Sequence, residues 1–166
     1  MIEVKVDDKA VLTALARVAA GAAHPAPLMT RIAGIMLDAV EENFAQEGRP
    51  KWLGLKPGSV KKGRGPAKIL QNTGRMAASI VHRASDTEAV VGTNVVYAAI
   101  HHFGGKTKPH VILPKKGKAL KFNGRYAKKV NHPGSTIPAR PFLMLAAEDE
   151  ARIVASASTY LASLAG

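Results

Sequence analysis

Ser79-Ile80-Val81-His82-Arg83-Ala84-Ser85-Asp86-Thr87-Glu88-Ala89-Val90-Val91-Gly92 is the stretch that decides the fold class. Two runs with strand-like composition, Ser79 to Arg83 and Glu88 to Gly92, flank a polar connection at Ala84 to Thr87. That connection is too short for a crossover, so the two strands must pair antiparallel. On the N-terminal side, Leu28, Ile32, Ile35, Met36, Ala39, Val40 and Phe44 recur at helical spacing. Pro27 opens this helix and Gly48 is placed to cap it. Its other face carries Arg31, Asp38, Glu41, Glu42 and Gln46, so it should look outward or toward a partner.

Further out, Val11, Leu12, Leu15, Val18 and Ala19 form the stripe of an earlier helix, stopped by Gly21 and Pro25. Asp7 or Asp8 can cap it, after a strand-like alternation at Ile2 to Val6. Thr73 is expected to cap a short helix across Gly74 to Ala78. Beyond the hairpin, Val95 to Phe103 reads as a short helix closed by Gly104-Gly105. Val111 to Leu113 and Ala119 to Phe122 are expected to pair as a small hairpin. A last helix runs from about Leu143 to Leu164, with the stripe Ile153, Ala157, Tyr160, Leu161 and Leu164. Strand, helices, strands, then helix predicts an α+β fold, with an antiparallel sheet packed against N-terminal and C-terminal helices. The 166 residues suit one domain, 1–166, with long basic loops at 49–68 and 106–136. Trp52, Leu53 and Leu55 anchor the first of these.

Charge is the strongest signal in the composition. Twenty-four Lys and Arg against twelve Asp and Glu leave +12. No acid occurs from Gly48 to Ser85, or from Ala89 to Ala147. A basic middle between more neutral helical ends suggests an anionic partner, either nucleic acid or an acidic protein surface. The candidate contact residues are Lys61, Lys62 and Arg64 in the first loop and Lys115, Lys116, Lys118, Lys128 and Lys129 in the second. With neither a groove-fitting element nor a stacking platform evident, DNA would be held by its backbone without base readout. No apolar run approaches the roughly 18 residues of a membrane span, and acids near Met1 argue against a secretion signal.

Catalysis finds little support. Cysteine is absent, which removes thiolate metal sites and cysteine nucleophiles. His101 and His102 are adjacent, so on a helix they point about 100° apart, and no acid lies nearby to complete a metal shell. No serine sits in a G-x-S-x-G elbow. Paired carboxylates are missing from the whole middle of the chain. Gly63 to Lys68 matches neither phosphate-binding glycine pattern, and Pro66 lacks the N–H such a loop would use. The expectation is a protein with no catalytic residues, no metal and no cofactor.

Four blocks occur in order: Trp52-Leu53-Gly54-Leu55, then Ile69-Leu70-Gln71-Asn72-Thr73-Gly74-Arg75-Met76, then Val91-Gly92-Thr93-Asn94 with Tyr97 to Gly105, then Ile137-Pro138-Ala139-Arg140-Pro141-Phe142-Leu143. Together they resemble the phage virion-morphogenesis family, also described as the tail-completion family of Mu-like and P2-like phages. His102 departs from the uncharged polar residue more usual there. The resemblance implies a structural role at the head–tail junction of a virion, without catalysis. It also implies self-assembly as a ring, a hexamer by analogy, beside neck or tail proteins. Such a protein would be made in the host cytoplasm.

The motif residues also make sense as a frame. Asn94 can cap the helix that follows, Tyr97, Ile100 and Phe103 can pack on the sheet, and His101 lies on the same helix. Gly104 and Gly105 permit an exit turn, and Pro138 and Pro141 pre-set the return, with Arg140 between them able to bond carbonyls or an acid. For subunit contacts, Glu41, Glu42, Glu148, Asp149 and Glu150 are the acidic complement to the basic patches.

Overall fold

The computed structural model describes residues 9–55, 68–115, 117–122 and 124–165, without the side chain of residue 122. The chain is α+β and divides into two compact units, one formed by residues 1–95 with 142–166 and the other by residues 96–141. The strand expected at Ile2 to Val6, the caps Asp7 and Asp8, and the loop cations Lys61, Lys62 and Arg64 lie outside the described residues, as does Lys116.

In the first unit, helix α1 (Lys9–Ala23) packs on the C-terminal helix of the chain, α4 (Ala147–Ala165), and helix α2 (Ala26–Ala45) packs on α4 and on a hairpin. The hairpin is β1 (Ile80–Ala84) against β2 (Ala89–Thr93), antiparallel, with Val81 opposite Gly92 and Arg83 opposite Val90. The antiparallel pairing demanded by the short connection is therefore present. α2 is the organising element. It buries Leu28, Ala33, Ala39, Val40 and Phe44, and Phe44 meets Trp52 edge-on at 5.9 Å and Phe142 at 5.3 Å. Ile69, Met76 and Tyr160 are buried in the same unit.

α2 ends in a six-residue closing loop. The Gly48 N–H donates to the Asn43 carbonyl at 2.8 Å and the Glu47 N–H to the Phe44 carbonyl at 3.4 Å. This satisfies carbonyls that the helix end would otherwise orphan. Gly48 was the expected cap, yet the left-handed capping position falls on Glu47 (φ 58), with Gly48 next at φ 101. Glu47 is held there by its own carboxylate, which accepts the Ile69 N–H at 2.7 Å. Gly48 has no alternative: a Cβ would strike the Trp52 ring and lie 2.6 Å from the Pro50 carbonyl oxygen.

Of the stripe read on α1, Val18 is half-buried and the other members are exposed. Val11, Leu12 and Leu15 are 59%, 56% and 59% exposed, while the more covered positions are the small Ala14, Val18 and Gly21. Arg17 reaches the Ala165 carbonyl and the Tyr160 hydroxyl donates to the Gly21 carbonyl, both at 3.3 Å, so the two helices run antiparallel. Residues of α1 before Arg17 therefore run past the described end of α4, which leaves their large side chains uncovered.

Other local expectations shift. Thr73 does not start an α-helix. It accepts the Arg75 N–H at 3.4 Å in a turn, and a short 3₁₀ segment (Ala77–Ser79) leads into β1. The last helix begins at Ala147, four residues later than read.

The second unit contains α3 (Ala98–Phe103) and six short strands. They are β3 (Gly105–Lys106), β4 (His110–Ile112), β5 (Leu120–Phe122), β6 (Arg125–Ala127), β7 (Val130–His132) and β8 (Thr136–Ile137). Their pairing is nested: β3 with β8, β4 with β7, β5 with β6, all antiparallel. The excursion is therefore a single two-stranded ribbon folding back on itself. The expected pairing of Val111–Leu113 with Ala119–Phe122 is replaced: Val111 faces Asn131, and Lys121 faces Tyr126. Two residues separate Phe122 from its partner Arg125, and the sequence there is Asn123-Gly124, a dipeptide suited to a two-residue hairpin loop.

Candidate functional site

Two features stand out above the frame: an internal charge network in the first unit and a basic band on the ribbon of the second. The network grows from Asn43, an amide on the buried stripe of α2 between Val40 and Phe44. A buried amide needs partners. Asn43 donates through Nδ2 to the carbonyls of Phe142 and Met144, both at 2.9 Å, and accepts through Oδ1 from Arg49 Nε at 2.9 Å. Arg49 uses its remaining donors on the Ala39 carbonyl (2.9 Å), Glu148 Oε1 (2.8 Å) and Asp149 Oδ2 (2.7 Å). Burial pulls the Arg49 pKa down, but hydrogen bonds to Asp149 and Glu148 and their charges outweigh it and hold it above the ordinary value. Asp149 Oδ2 also accepts the Ala146 N–H at 3.0 Å, which caps α4.

This network bears on the basic loop and on the acids expected at a subunit contact. Arg49 opens the supposed basic loop, yet it points inward and is not a contact cation. Glu148 and Asp149 were candidates to meet a neighbour, but Asp149 is 1% exposed and both carboxylates are bound by Arg49. Glu41 and Glu42 do lie exposed on α2. The sequence signal for the network was Asn43 itself, a polar residue within an apolar stripe.

The motif blocks mostly specify structure. Trp52 and Phe142 close the core around Phe44, and Phe142 is fully buried. Gly92 pairs opposite Val81. Gly74 has φ 72 and its carbonyl accepts the Ala78 N–H. Asn94 is exposed and does not cap α3, whose N-terminal flank is Tyr97 without a side-chain cap. The local turn is organised instead by Thr93, whose hydroxyl accepts the Val95 N–H at 3.2 Å and bonds the Ser79 hydroxyl at 2.7 Å.

Within the second unit, Tyr97 sits edge-on to His101 at 6.0 Å. Phe103, expected to pack inward, is 77% exposed. The His101 carbonyl accepts the Arg140 N–H at 2.9 Å. Burial, then the charge of Arg140, lowers the His101 pKa, and burial alone lowers that of His102. Both shifts favour the neutral imidazole. Among the described residues no group of three or more His, Asp and Glu could hold a metal ion. Gly104 needs its φ of 74, because a Cβ there would stand 2.7 Å from the Ala139 nitrogen. Gly105 pairs with Ile137 at the base of the ribbon, Pro138 and Pro141 are half-buried, and Arg140 is buried between them.

The ribbon assembles the second basic cluster. Between the pairs Ile112–Val130 and Leu120–Ala127, one strand has residues 113–119 and the other only 128–129. The longer stretch carries Lys115 and Lys118 and the shorter one is Lys128-Lys129, so all four lie between the same two strand pairs. All four are exposed. Among the described residues none of them makes an ion pair.

No helix among the described residues is long and apolar enough to cross a membrane. No solved structure matches the chain. A curated relative, the Mu-like prophage FluMu G protein 2 of Haemophilus influenzae, is 41% identical over 161 residues, covering 96% of each chain. The model of the phage virion morphogenesis family matches residues 6–162. The four ordered blocks, the α+β frame they hold together and these matches have one reading: the chain belongs to the phage virion morphogenesis family.

Proposed function

We propose that the protein completes the tail, or joins head and tail at the neck, as a non-enzymatic subunit of a ring in the virion. Membership of the virion morphogenesis family over residues 6–162 carries this reading. The fold supplies the kind of surface a ring needs. Val11, Leu12 and Leu15 form a contiguous apolar face that α4 leaves uncovered, and exposed apolar patches mark contact sites. A closed ring uses two different patches per subunit, so each copy offers one surface and receives another. Glu41 and Glu42, exposed on α2, are the acidic side of that contact in a chain of net charge +12. Ring size, a hexamer in this proposal, rests on the family resemblance.

Two experiments test it. Electron microscopy of particles from a null mutant is expected to show finished heads and tails that fail to join, and wild-type particles would sink the proposal. For the subunit contact, Glu41→Lys with Glu42→Lys should shift the purified protein toward monomer in light scattering. An unchanged oligomer size would remove these acids from the interface.

A further inference from the structure

The lysines of the ribbon invite a question that subunit assembly leaves open. Lys115 and Lys118 lie on one arm of the ribbon and Lys128 and Lys129 on the other, all between the pairs Ile112–Val130 and Leu120–Ala127. An extended arm advances about 3.3 Å per residue, so the two pairs that bracket these lysines stand about 10 Å apart along Ala127 to Val130. No carboxylate occurs from Ala89 to Ala147, so the ribbon has no acid of its own to neutralise it. Like charges gathered in one short segment repel one another in the free protein. An anionic ligand turns that repulsion into attraction.

We propose that this lysine band grips the phosphate backbone of double-stranded DNA without reading its bases. The composition of the ribbon favours this occupant over an acidic protein. Of the nine cations from Gly105 to Ile137, eight are Lys and one is Arg. Protein interfaces are enriched in Arg and depleted in Lys, because ordering a flexible, strongly hydrated ammonium is unfavourable there. A phosphate backbone accepts such mobile point charges well and releases counterions in exchange. A second copy of this chain is a poorer occupant than DNA: it carries net charge +12, its Glu148, Asp149 and Asp38 already pair with Arg49 and Arg152, and Glu41 and Glu42 on α2 offer two carboxylates against four lysines.

Shape agrees. A two-stranded ribbon is one of the elements the major groove admits. Duplex DNA presents one charge per about 1.7 Å, so about six phosphates lie within the length of the band. The grip is placed on phosphate because ammonium groups on flexible stems act as point charges, without the rigid fork that arginine offers. Nearby, Lys121 is turned over the Tyr126 ring at 5.5 Å.

The test is fluorescence anisotropy with purified full-length protein and a labelled mixed-sequence duplex of about 30 base pairs, titrated from about 50 to 200 mM salt. Lys115→Gln, Lys118→Gln, Lys128→Gln and Lys129→Gln combined should weaken binding at least about 30-fold at 100 mM salt and make the log–log salt slope shallower by about 3. The four corresponding Lys→Arg changes should retain binding, which separates loss of charge from damage to the ribbon. Arg31→Gln, Lys68→Gln, Arg75→Gln and Arg83→Gln combined remove the same charge elsewhere and should change affinity less than about 3-fold.

Three results would overturn the proposal: no duplex binding by the native protein at the lowest salt, equal losses in both glutamine variants, or tighter binding to polyglutamate than to DNA. None of them touches the ring reading, which is tested on particles and oligomer size.

Discussion

Arg49→Ala is expected to lower unfolding free energy by about 3–5 kcal/mol, the range for leaving a buried charge without its partner. Asp149 would keep the Ala146 N–H but lose the guanidinium at 2.7 Å, with Arg152 next at 3.8 Å and largely in solvent. Asn43 would lose the donor to its Oδ1, and the Ala39 carbonyl would lose Nη2. Arg49→Lys keeps the charge but offers a single ammonium, which cannot reach Asn43, Ala39, Glu148 and Asp149 from one position. It should fall between the native protein and the alanine variant. Urea unfolding followed by circular dichroism measures both. A loss below about 1 kcal/mol for Arg49→Ala would show that the network is no stronger than an exposed pair.

Phe142→Ala should cost a similar amount, about 3–5 kcal/mol, for a different reason. The ring is fully buried and tilted against Phe44 at 5.3 Å, while Phe44 in turn meets Trp52. Truncation leaves a cavity that these rings can collapse into only partly. The backbone at Phe142 is held independently by Asn43, so the chain should still return to α4 along the same path. Phe142→Leu preserves most of the volume and should cost less than about 1.5 kcal/mol. Equal losses for the two variants in thermal unfolding would mean that the ring shape, and not the filled volume, is what matters at this position.

The two variants test the same joint from opposite sides. The block Pro138 to Leu143 carries the family resemblance, and Asn43, Arg49 and Phe44 are what receive its Phe142 end in the first unit. The motif is thus legible as packing: an aromatic plug whose carbonyl is fixed by a buried amide. The proposed contact surfaces are made of other residues, the exposed apolar side chains of α1, the acids of α2 and the lysines of the ribbon.

Local pattern alone determined a good deal. Helical periodicity located α2 and α4, the short connection at Ala84 to Thr87 required the antiparallel hairpin, and the charge distribution marked the basic middle. These features are written in neighbouring residues, through side-chain period and loop length. Tertiary structure decided what those faces meet. The stripe Val11, Leu12 and Leu15 announced an apolar face, but only the antiparallel seating of α1 on α4, overrunning its described end, left that face uncovered. Arg49 opens the basic loop in sequence, yet Asn43 and Asp149, more than one hundred residues apart from each other, enclose it. The ribbon register was likewise hidden, since strand pairing depends on residues distant in sequence. Composition shows that Lys115, Lys118 and Lys128-Lys129 are basic; only the fold sets them between the same two strand pairs.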